Sequence, residues 1–309
     1  MKKRSFLALV VAVLFIIPVS GYGVEYKQLF EPIANGGVNW TTGIIQAKGM
    51  GAPPERYYGK PNARPMAIRA AKLDAMRNLL EVTKGVRVNS TTTVENYAVS
   101  NDVIITKVYG LVKGAQVVDT QYMSDGTVEV TMQMSIYGAF AQVVLPQDIK
   151  KLEPIKTHTP TPPPVKKPDT KPADKKSVDT KPVDTKPDDT GMESLSEVYT
   201  GLVVDARGLN ARPAMSPKIV DETGKEVYGS AYVSREFAVQ QGMSGYAKEL
   251  TAAQKNQRVT DKPLTVKGIS TKGSGRSNIV ISNADADKLK SASENLSFMK
   301  KCKVMIVVD

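Results

Sequence analysis

A segment rich in proline, lysine, aspartate and threonine divides this chain and constrains its fold more than any other feature. It runs from about residue 150 to 196 and carries Asp-Thr-Lys-Pro three times, at 169–172, 179–182 and 184–187. This segment has few apolar side chains to bury, so burial cannot offset the entropy that the segment would lose on folding. Its proline content favours extended backbone. We therefore predict a long disordered linker between two folded domains.

The linker sets the domain layout. We predict two small α+β domains, one over residues 24–149 with its core at about 38–145, and one over residues 197–309. At roughly 3 Å per residue for a stiff, extended chain, a linker of about 45 residues could hold them on the order of 100 Å apart.

The N-terminus, residues 1–23, has the three-part order of a secretory signal peptide. Basic residues at positions 2–4 precede an apolar run, Phe6–Ile17, which is shorter than the roughly 20 residues that a membrane span needs. We expect cleavage after Gly21 or Gly23, and the alternative is a retained N-terminal anchor helix. Export would place the mature chain in a bacterial periplasm.

The only cysteine is Cys302. A lipoprotein needs a cysteine just after the apolar run, so the sequence predicts no lipid anchor. One cysteine also cannot form an internal disulfide. Cys302 is either buried, as cysteine usually is, or paired between chains.

Strand periodicity dominates the end of the first domain. Apolar residues occupy every second position over Val128–Ile136, which indicates a strand with one buried face. We predict Ala115–Met123 as its hairpin partner and a third strand over Thr41–Gly49.

The strongest predicted helix runs from Ala63 to Lys84, with Asn62 as its N-cap and Gly85 as its stop. A shorter helix is predicted over Asp102–Lys113. The long helix should pack one apolar stripe on the sheet: Ile68, Ala71, Ala75, Leu79 and Val82, widened by Met66, Ala70, Leu73, Met76 and Leu80. Its charged positions are predicted to be solvated rather than ligand-binding: Arg69, Lys72, Arg77 and Glu81.

The second domain has less regular patterns. Ser282 and Asp285 stand three apart, which predicts the start of a helix there, and the apolar C-terminal run is typical of an interior strand. The predicted strands are Tyr199–Ala206, Leu264–Thr271, Asn278–Ile281 and Lys303–Val308, with a further hairpin around 222–224.

The residue inventory argues against catalysis. The single histidine, His158, falls in the predicted linker, so no Ser-His or Cys-His pair can form within a folded domain. One cysteine cannot build a structural zinc site. We therefore expect no catalytic residues, no metal site and no cofactor.

Two further motifs have a structural interpretation. The glycine-rich stretch at 272–276 lacks the Gly-Lys-Ser/Thr ending of a phosphate loop, so it is predicted to be a hairpin turn. Asp285 and Asp287 could bind a hard cation, but an oxygen cage needs more ligands. We interpret both residues instead as acids at the start of a helix, where their negative charge favours the helix dipole.

Four residues of the second domain remain as candidates for carboxylate chemistry: Asp205, Arg207, Asp221 and Glu222. A wall-active glycosidase needs two positioned carboxylates, and a single sequence does not bring these together. The formal charge of +11 suits anionic lipid or wall polymer. The basic residues are not interleaved with aromatics, so nucleic acid is not expected as a partner.

The first domain resembles a known family in three stretches: a small-residue strand near Gly43–Gly51, the helix ARPMAIRAAKLDAMRNLLEVTKGVRV and the hairpin GAQVVDTQYMSDGTVEVTMQMSIYG. Over residues 40–140 it is similar to the Lpp-twenty type of envelope lipoprotein domain and to the N-terminal domain of flagellar assembly protein T. The resemblance implies a part or assembly factor of a membrane machine, without catalytic residues. This chain departs from the lipoprotein members in lacking the lipidated cysteine.

The second domain carries YTGLVVDARGLNARPAMSPKI and NIVISNADADKLKSASENLSFMKKCKVMIVVD. It resembles a domain of uncharacterised proteobacterial envelope proteins.

Together these features favour a non-catalytic periplasmic adaptor or scaffold, associated with the outer membrane only through protein contacts. Its partners would be envelope proteins, with flagellar and secretion machines as candidates, and a free strand edge would dock them by β-augmentation. The alternative is a module that binds cell-wall polymer or an anionic membrane surface, and a carboxylate-dependent wall enzyme is the third class. No small-molecule substrate is identified.

Overall fold

The computed structural model of this protein describes residues 26–99, 101–149, 198–291 and 293–309. The predicted signal peptide, the predicted linker and His158 lie outside the described residues. Helices and strands occur in both remaining parts of the chain, which confirms the α+β class.

The first unit contains a five-stranded antiparallel sheet in the order β1-β2-β3-β5-β4. Its strands are β1 (Phe30–Ile33), β2 (Gly36–Asn39), β3 (Ile44–Gly51), β4 (Gln116–Tyr122) and β5 (Val128–Ser135). Its helices are α1 (Ala63–Gly85), α2 (Val94–Val99), α3 (Asp102–Lys113) and α4 (Ala139–Val144). The sequence patterns predict α1, α3, the β4–β5 hairpin and most of β3, but not the hairpin of β1 and β2.

Small residues allow α1 to lie directly on β3. Ala71 and Ala75 are fully buried, and a Cβ added at Gly49 or Gly51 would collide with the backbone of the helix. The close approach therefore depends on the absence of a side chain on the strand.

The predicted buried stripe of α1 is confirmed at Ala71, Ala75, Leu79 and Val82. Ile68 is only half-buried, and Leu73 is 59% exposed, so its predicted burial is wrong. The helix meets the sheet through alanines, and this narrow contact leaves the wider apolar positions at its margin or in solvent.

The predicted ends of α1 need correction. Asn62 has helical backbone angles (φ −86°, ψ −5°), and its side chain makes no capping hydrogen bond. An N-cap requires extended backbone for its side chain to reach the free N–H groups, so Asn62 is not a cap. Gly85 is the last residue of the helix, and the chain becomes extended at Val86.

The second unit contains a seven-stranded mixed sheet in the order β8-β7-β11-β10-β6-β12-β9. Its strands are β6 (Gly201–Asp205), β7 (Lys218–Val220), β8 (Glu226–Tyr228), β9 (Gly245–Ala247), β10 (Pro263–Lys272), β11 (Asn278–Ile281) and β12 (Val304–Val307). Its helices are α5 (Arg235–Gln241), α6 (Leu250–Gln254), α7 (Asn283–Lys290) and α8 (Ser293–Lys300). The C-terminal strand β12 lies between β6 and β9 and is buried throughout, which confirms the predicted interior strand.

The two units dock through a partly buried carboxylate. Glu31 on β1 accepts hydrogen bonds from the Arg87 guanidinium, from Trp40 Nε1 at 2.9 Å and from Arg212 Nη2 at 2.8 Å. Arg87 is 8% exposed, and its Nε donates to the Pro213 carbonyl at 2.8 Å. One residue of the first unit thus binds cations from both units.

Backbone pairing extends this junction. Met215 N–H donates to the Arg87 carbonyl at 3.0 Å, and Ser216 N–H donates to the Val88 carbonyl at 2.7 Å. The turn between β10 and β11 also reaches the first unit, because Gly275 N–H donates to the Ser90 carbonyl at 2.6 Å.

Apolar packing and a second arginine complete the junction. The rings of Trp40 and Tyr246 meet edge to face with centroids 5.7 Å apart. On the other side, Arg235 donates to the carbonyls of Gln142 and Pro146 at 3.0 and 2.8 Å. One hydrophobic core runs through both units, so the expected separation of about 100 Å is not found, and the units form one docked body.

The contact between Gly49 and α1 predicts a stability difference between two glycine-to-alanine variants. Gly49→Ala should lower the free energy of unfolding by about 1–3 kcal/mol, because the added methyl overpacks the seam. Gly110→Ala is the matched control, since a Cβ there meets no atom within 4 Å and alanine favours the helix by up to about 1 kcal/mol. Urea unfolding of both variants would measure this, and equal effects would contradict it.

The junction predicts an acid-sensitive contribution from Glu31. Burial raises the pKa of this carboxyl, but the hydrogen bond and charge of Arg87, with Trp40 and Arg212, outweigh burial and lower it overall. Since its folded pKa lies below the unfolded value of about 4.3, ionised Glu31 stabilises the fold above that pH. The contribution is lost as the pH falls through the folded pKa.

Glu31→Gln should therefore reduce the free energy of unfolding at pH 7 by about 1.5–3 kcal/mol, the range for hydrogen bonds to charged groups. It should also flatten the loss of stability between about pH 5 and pH 3. Glu81→Gln is the matched control, because Glu81 forms only an exposed pair with Lys84, worth less than about 1 kcal/mol. A pH series of denaturant unfolding curves that is parallel for all three proteins would refute this role for Glu31.

Candidate interaction edge

Among the strands of the described residues, β4 forms one edge of the first sheet and pairs with β5 alone. Its residues are exposed except for Thr120, which is half-buried. Four apolar side chains at this edge are well exposed: Val117 (39%), Val118 (47%), Tyr122 (53%) and Met123 (39%). Apolar side chains and free backbone groups at one strand are the features that allow another strand to add.

The direction of the backbone groups on β4 follows from the hairpin. Met123 N–H donates to the Thr127 carbonyl at 2.8 Å, so the backbone of Met123 bonds toward β5. Bonding directions alternate along an antiparallel strand. Gln121 and Asp119 therefore bond toward β5 as well, and the N–H and C=O groups of Thr120 and Tyr122 point away from the sheet.

The side chains of β4 divide between two faces. Thr120 and Tyr122 are opposite Val130 and Val128, which are buried beneath α1, so both lie on the helix side. The Arg64 guanidinium of α1 lies 4.8 Å from the centroid of the Tyr122 ring.

The opposite, open face of the edge is polar. Asp119 and Gln121 are opposite Thr131 and Glu129, and Gln121 Nε2 donates to Asp119 Oδ2 at 2.9 Å. A bulge between Val117 and Asp119 interrupts the ladder. The regular part of the free edge is therefore the stretch after the bulge.

A second exposed apolar surface lies between the helices of the first unit. Leu80, Val94, Ile105, Val108 and Tyr109 line an open groove of about 620 Å³, with Lys84 and Glu95 at its rim. The amphipathic α3 supplies three of these side chains, and its Ile105 is 46% exposed.

The carboxylate candidates of the second unit do not meet. Asp205 is the last residue of β6 and Asp221 follows β7, and β10 and β11 lie between those strands. Three spacings of about 4.8 Å put the two carboxylates roughly 14 Å apart along the sheet, beyond the separation used by glycosidases.

Each candidate carboxylate has a local partner instead. Arg207 Nε and Nη2 donate to the two carboxylate oxygens of Asp205 at 2.8 and 2.7 Å. This hydrogen bonding lowers the pKa of Asp205. The Thr223 hydroxyl, at 2.5 Å, is the main cause of the lowered pKa of Asp221. Glu222 Oε2 accepts from Asn283 N–H at 3.0 Å at the start of α7.

The glycine-rich stretch and the Ser282–Asp285 pair lie where the sequence predicts. The stretch at 272–276 is the turn between β10 and β11. Ser282 caps α7 by accepting from Asp285 N–H at 3.0 Å, and the Asp285 carboxylate accepts the Ser282 hydroxyl at 2.8 Å. Asp287 is exposed on α7 but lies beyond its first turn, so of the two acids only Asp285 has the predicted position at the helix start. Among the described residues, no group of three or more His, Cys, Asp or Glu side chains could hold a metal ion.

Cys302 is fully buried before β12. Burial raises the pKa of its thiol to about 12. Of the two alternatives from the sequence, the structure therefore shows the buried thiol.

None of the helices in the described ranges combines the length and apolar character needed to cross a membrane.

Comparison with known families gives a match for the second unit. Residues 201–309, about a third of the chain, match the family described as the second domain of Treponema pallidum Tp0624. The match begins at β6 and ends at the last residue, so it covers the seven-stranded sheet. A search of curated proteins found no match. The resemblance of the first unit to Lpp-twenty domains stays a prediction.

Proposed function

We propose that this protein is a non-catalytic adaptor or scaffold of a bacterial envelope assembly, exported to the periplasm, and that it docks a partner by strand addition to β4. The observation that carries the proposal is the free edge of β4, with outward backbone groups at Thr120 and Tyr122 and exposed apolar side chains around them.

Strand addition suits this edge for two reasons. The free N–H and C=O groups supply main-chain hydrogen bonds, and the alternating side chains supply specificity. Covering Val118, Tyr122 and their apolar neighbours would also remove exposed apolar surface from water, at about 25 cal/mol per Å².

A scaffold also needs surfaces in fixed relation to each other. The junction around Glu31, Arg87 and Arg212 is a charged cluster between the two units, and one hydrophobic core runs through both units beside it. A partner docked on β4 is thereby held in a defined position relative to the second sheet.

The location rests on the sequence. The signal-peptide pattern at residues 1–23 and the absence of a cysteine after it support export without lipidation. Retention in the envelope would then depend on protein contacts. The resemblance of the first unit supports membrane machines, flagellar or secretory, as the class of assembly.

A site-specific photo-crosslinker at Val118 should capture a discrete adduct in native envelopes, because Val118 is exposed beside the free edge. Leu73 is the matched control, since it is 59% exposed on α1 and outside the edge. Illumination followed by gel separation and mass spectrometry would identify the adduct.

Thr120→Pro should abolish the Val118 adduct. Proline removes an N–H that points away from β5, so it blocks the added strand and spares the β4–β5 ladder. Thr120→Val keeps that N–H and should keep the adduct. Equal capture from Val118 and Leu73, or an adduct that survives Thr120→Pro, would overturn the proposal.

A further inference from the structure

We propose that the strand added to β4 is β4 of a second copy of this chain, antiparallel to the first, with a two-fold axis through Thr120. The inference rests on the proposed function in one respect, the use of β4 as a docking edge. It adds the identity and register of the partner strand.

The backbone geometry permits a two-fold axis at Thr120. Its N–H and C=O groups point away from β5, as the bond from Met123 to Thr127 establishes by alternation. Two antiparallel copies centred there exchange both backbone hydrogen bonds between their Thr120 residues. Each copy donates one bond and accepts one, so the pairing satisfies these groups symmetrically.

The helix-side side chains match in this register. Thr120 lies opposite Thr120 of the second copy, and Tyr122 lies beside Val118, the extra residue of the bulge. Threonine pairs and pairs of an aromatic with a β-branched residue are both favourable across antiparallel strands. Tyr122 and Val118 are 53% and 47% exposed in the single chain, so the pairing covers two of the largest apolar side chains at this edge.

The charge on the open face selects the same register. With the axis at Thr120, Asp119 lies opposite Gln121 of the second copy, whose amide can donate to the carboxylate. The two residues already form such a bond within one chain, at 2.9 Å. An axis at Asp119 would place two carboxylates opposite each other, which is destabilising. The charge pattern therefore disfavours an axis at Asp119 relative to the axis at Thr120.

The pairing would join two five-stranded sheets into one continuous sheet through their β4 edges. The bulge at Val117–Asp119 bends each strand away from the axis at one end. It limits the regular pairing in this register to Asp119, Thr120 and Gln121, with Tyr122 against the bulge.

Disulfide trapping tests the register directly. Thr120→Cys should form a disulfide-linked dimer of the purified chain under oxidised glutathione, because Cα atoms of a hydrogen-bonded antiparallel pair are about 5.5 Å apart. Val118→Cys and Tyr122→Cys should each stay monomeric alone and link when mixed. The native Cys302 does not interfere, because it is fully buried.

Gln121→Cys is the control for the neighbouring position. It lies opposite Asp119 rather than itself and should not link. Linkage through Gln121 with none through Thr120 would overturn the proposed axis. Linkage of all four variants at equal rates would show random collision and overturn the pairing.

Sedimentation of the purified chain separates this inference from the proposed function. The unmodified chain and Thr120→Val should sediment at twice the monomer mass at high concentration, and Thr120→Pro should remain monomeric. A monomer at every concentration, together with a Val118 adduct to a different envelope protein, would overturn self-pairing and keep the proposed function. A dimer of the purified chain, together with a Val118 adduct in native envelopes that contains only a second copy of this chain, would support self-pairing and overturn docking of a different envelope partner.

Discussion

The arrangement of the whole molecule depends on one partly buried carboxylate. Glu31 lies on an edge strand of the first sheet and accepts hydrogen bonds from Trp40, Arg87 and Arg212. Removing one partner of a buried ion pair leaves an uncompensated charge, which costs far more than the pair itself contributes. Docking adds Arg212 to this pair and brings the Pro213 carbonyl to Arg87 Nε, so the exposed surfaces of both units are positioned by these contacts.

The local structure could be predicted from the sequence where one face of an element is buried. The alternation over Val128–Ile136 predicts β5, and the helical spacing of Ala71, Ala75 and Leu79 predicts the buried face of α1. Leu73 is the instructive failure, because a contact built from alanine and glycine is too narrow to cover every apolar residue of the helix. Periodicity identifies the buried face but not its width.

The candidate site could be predicted only in part. The β4–β5 hairpin follows from its turn and alternation, but the position of β4 at the edge depends on the strand order, which one sequence does not contain. The junction was also beyond sequence reasoning. Glu31 and Arg212 lie 181 positions apart, and β1 and β2 are too short to give a periodic signal. In the second unit, the carboxylates could be named as candidates, but their separation follows from the two strands between them.

The docked junction also changes the part that residues 150–197 play in the chain. Ile149 is buried in the first unit and Gly201 begins β6 of the second, so both ends of the intervening sequence are fixed to one body. Fixing both ends of a segment closes a ring in the thermodynamic sense. For a segment predicted to be disordered, each doubling of its length costs only about 0.6 kcal/mol of closure entropy. Insertions or deletions of the Asp-Thr-Lys-Pro repeat can therefore alter the size of this ring while the two sheets keep their relative position.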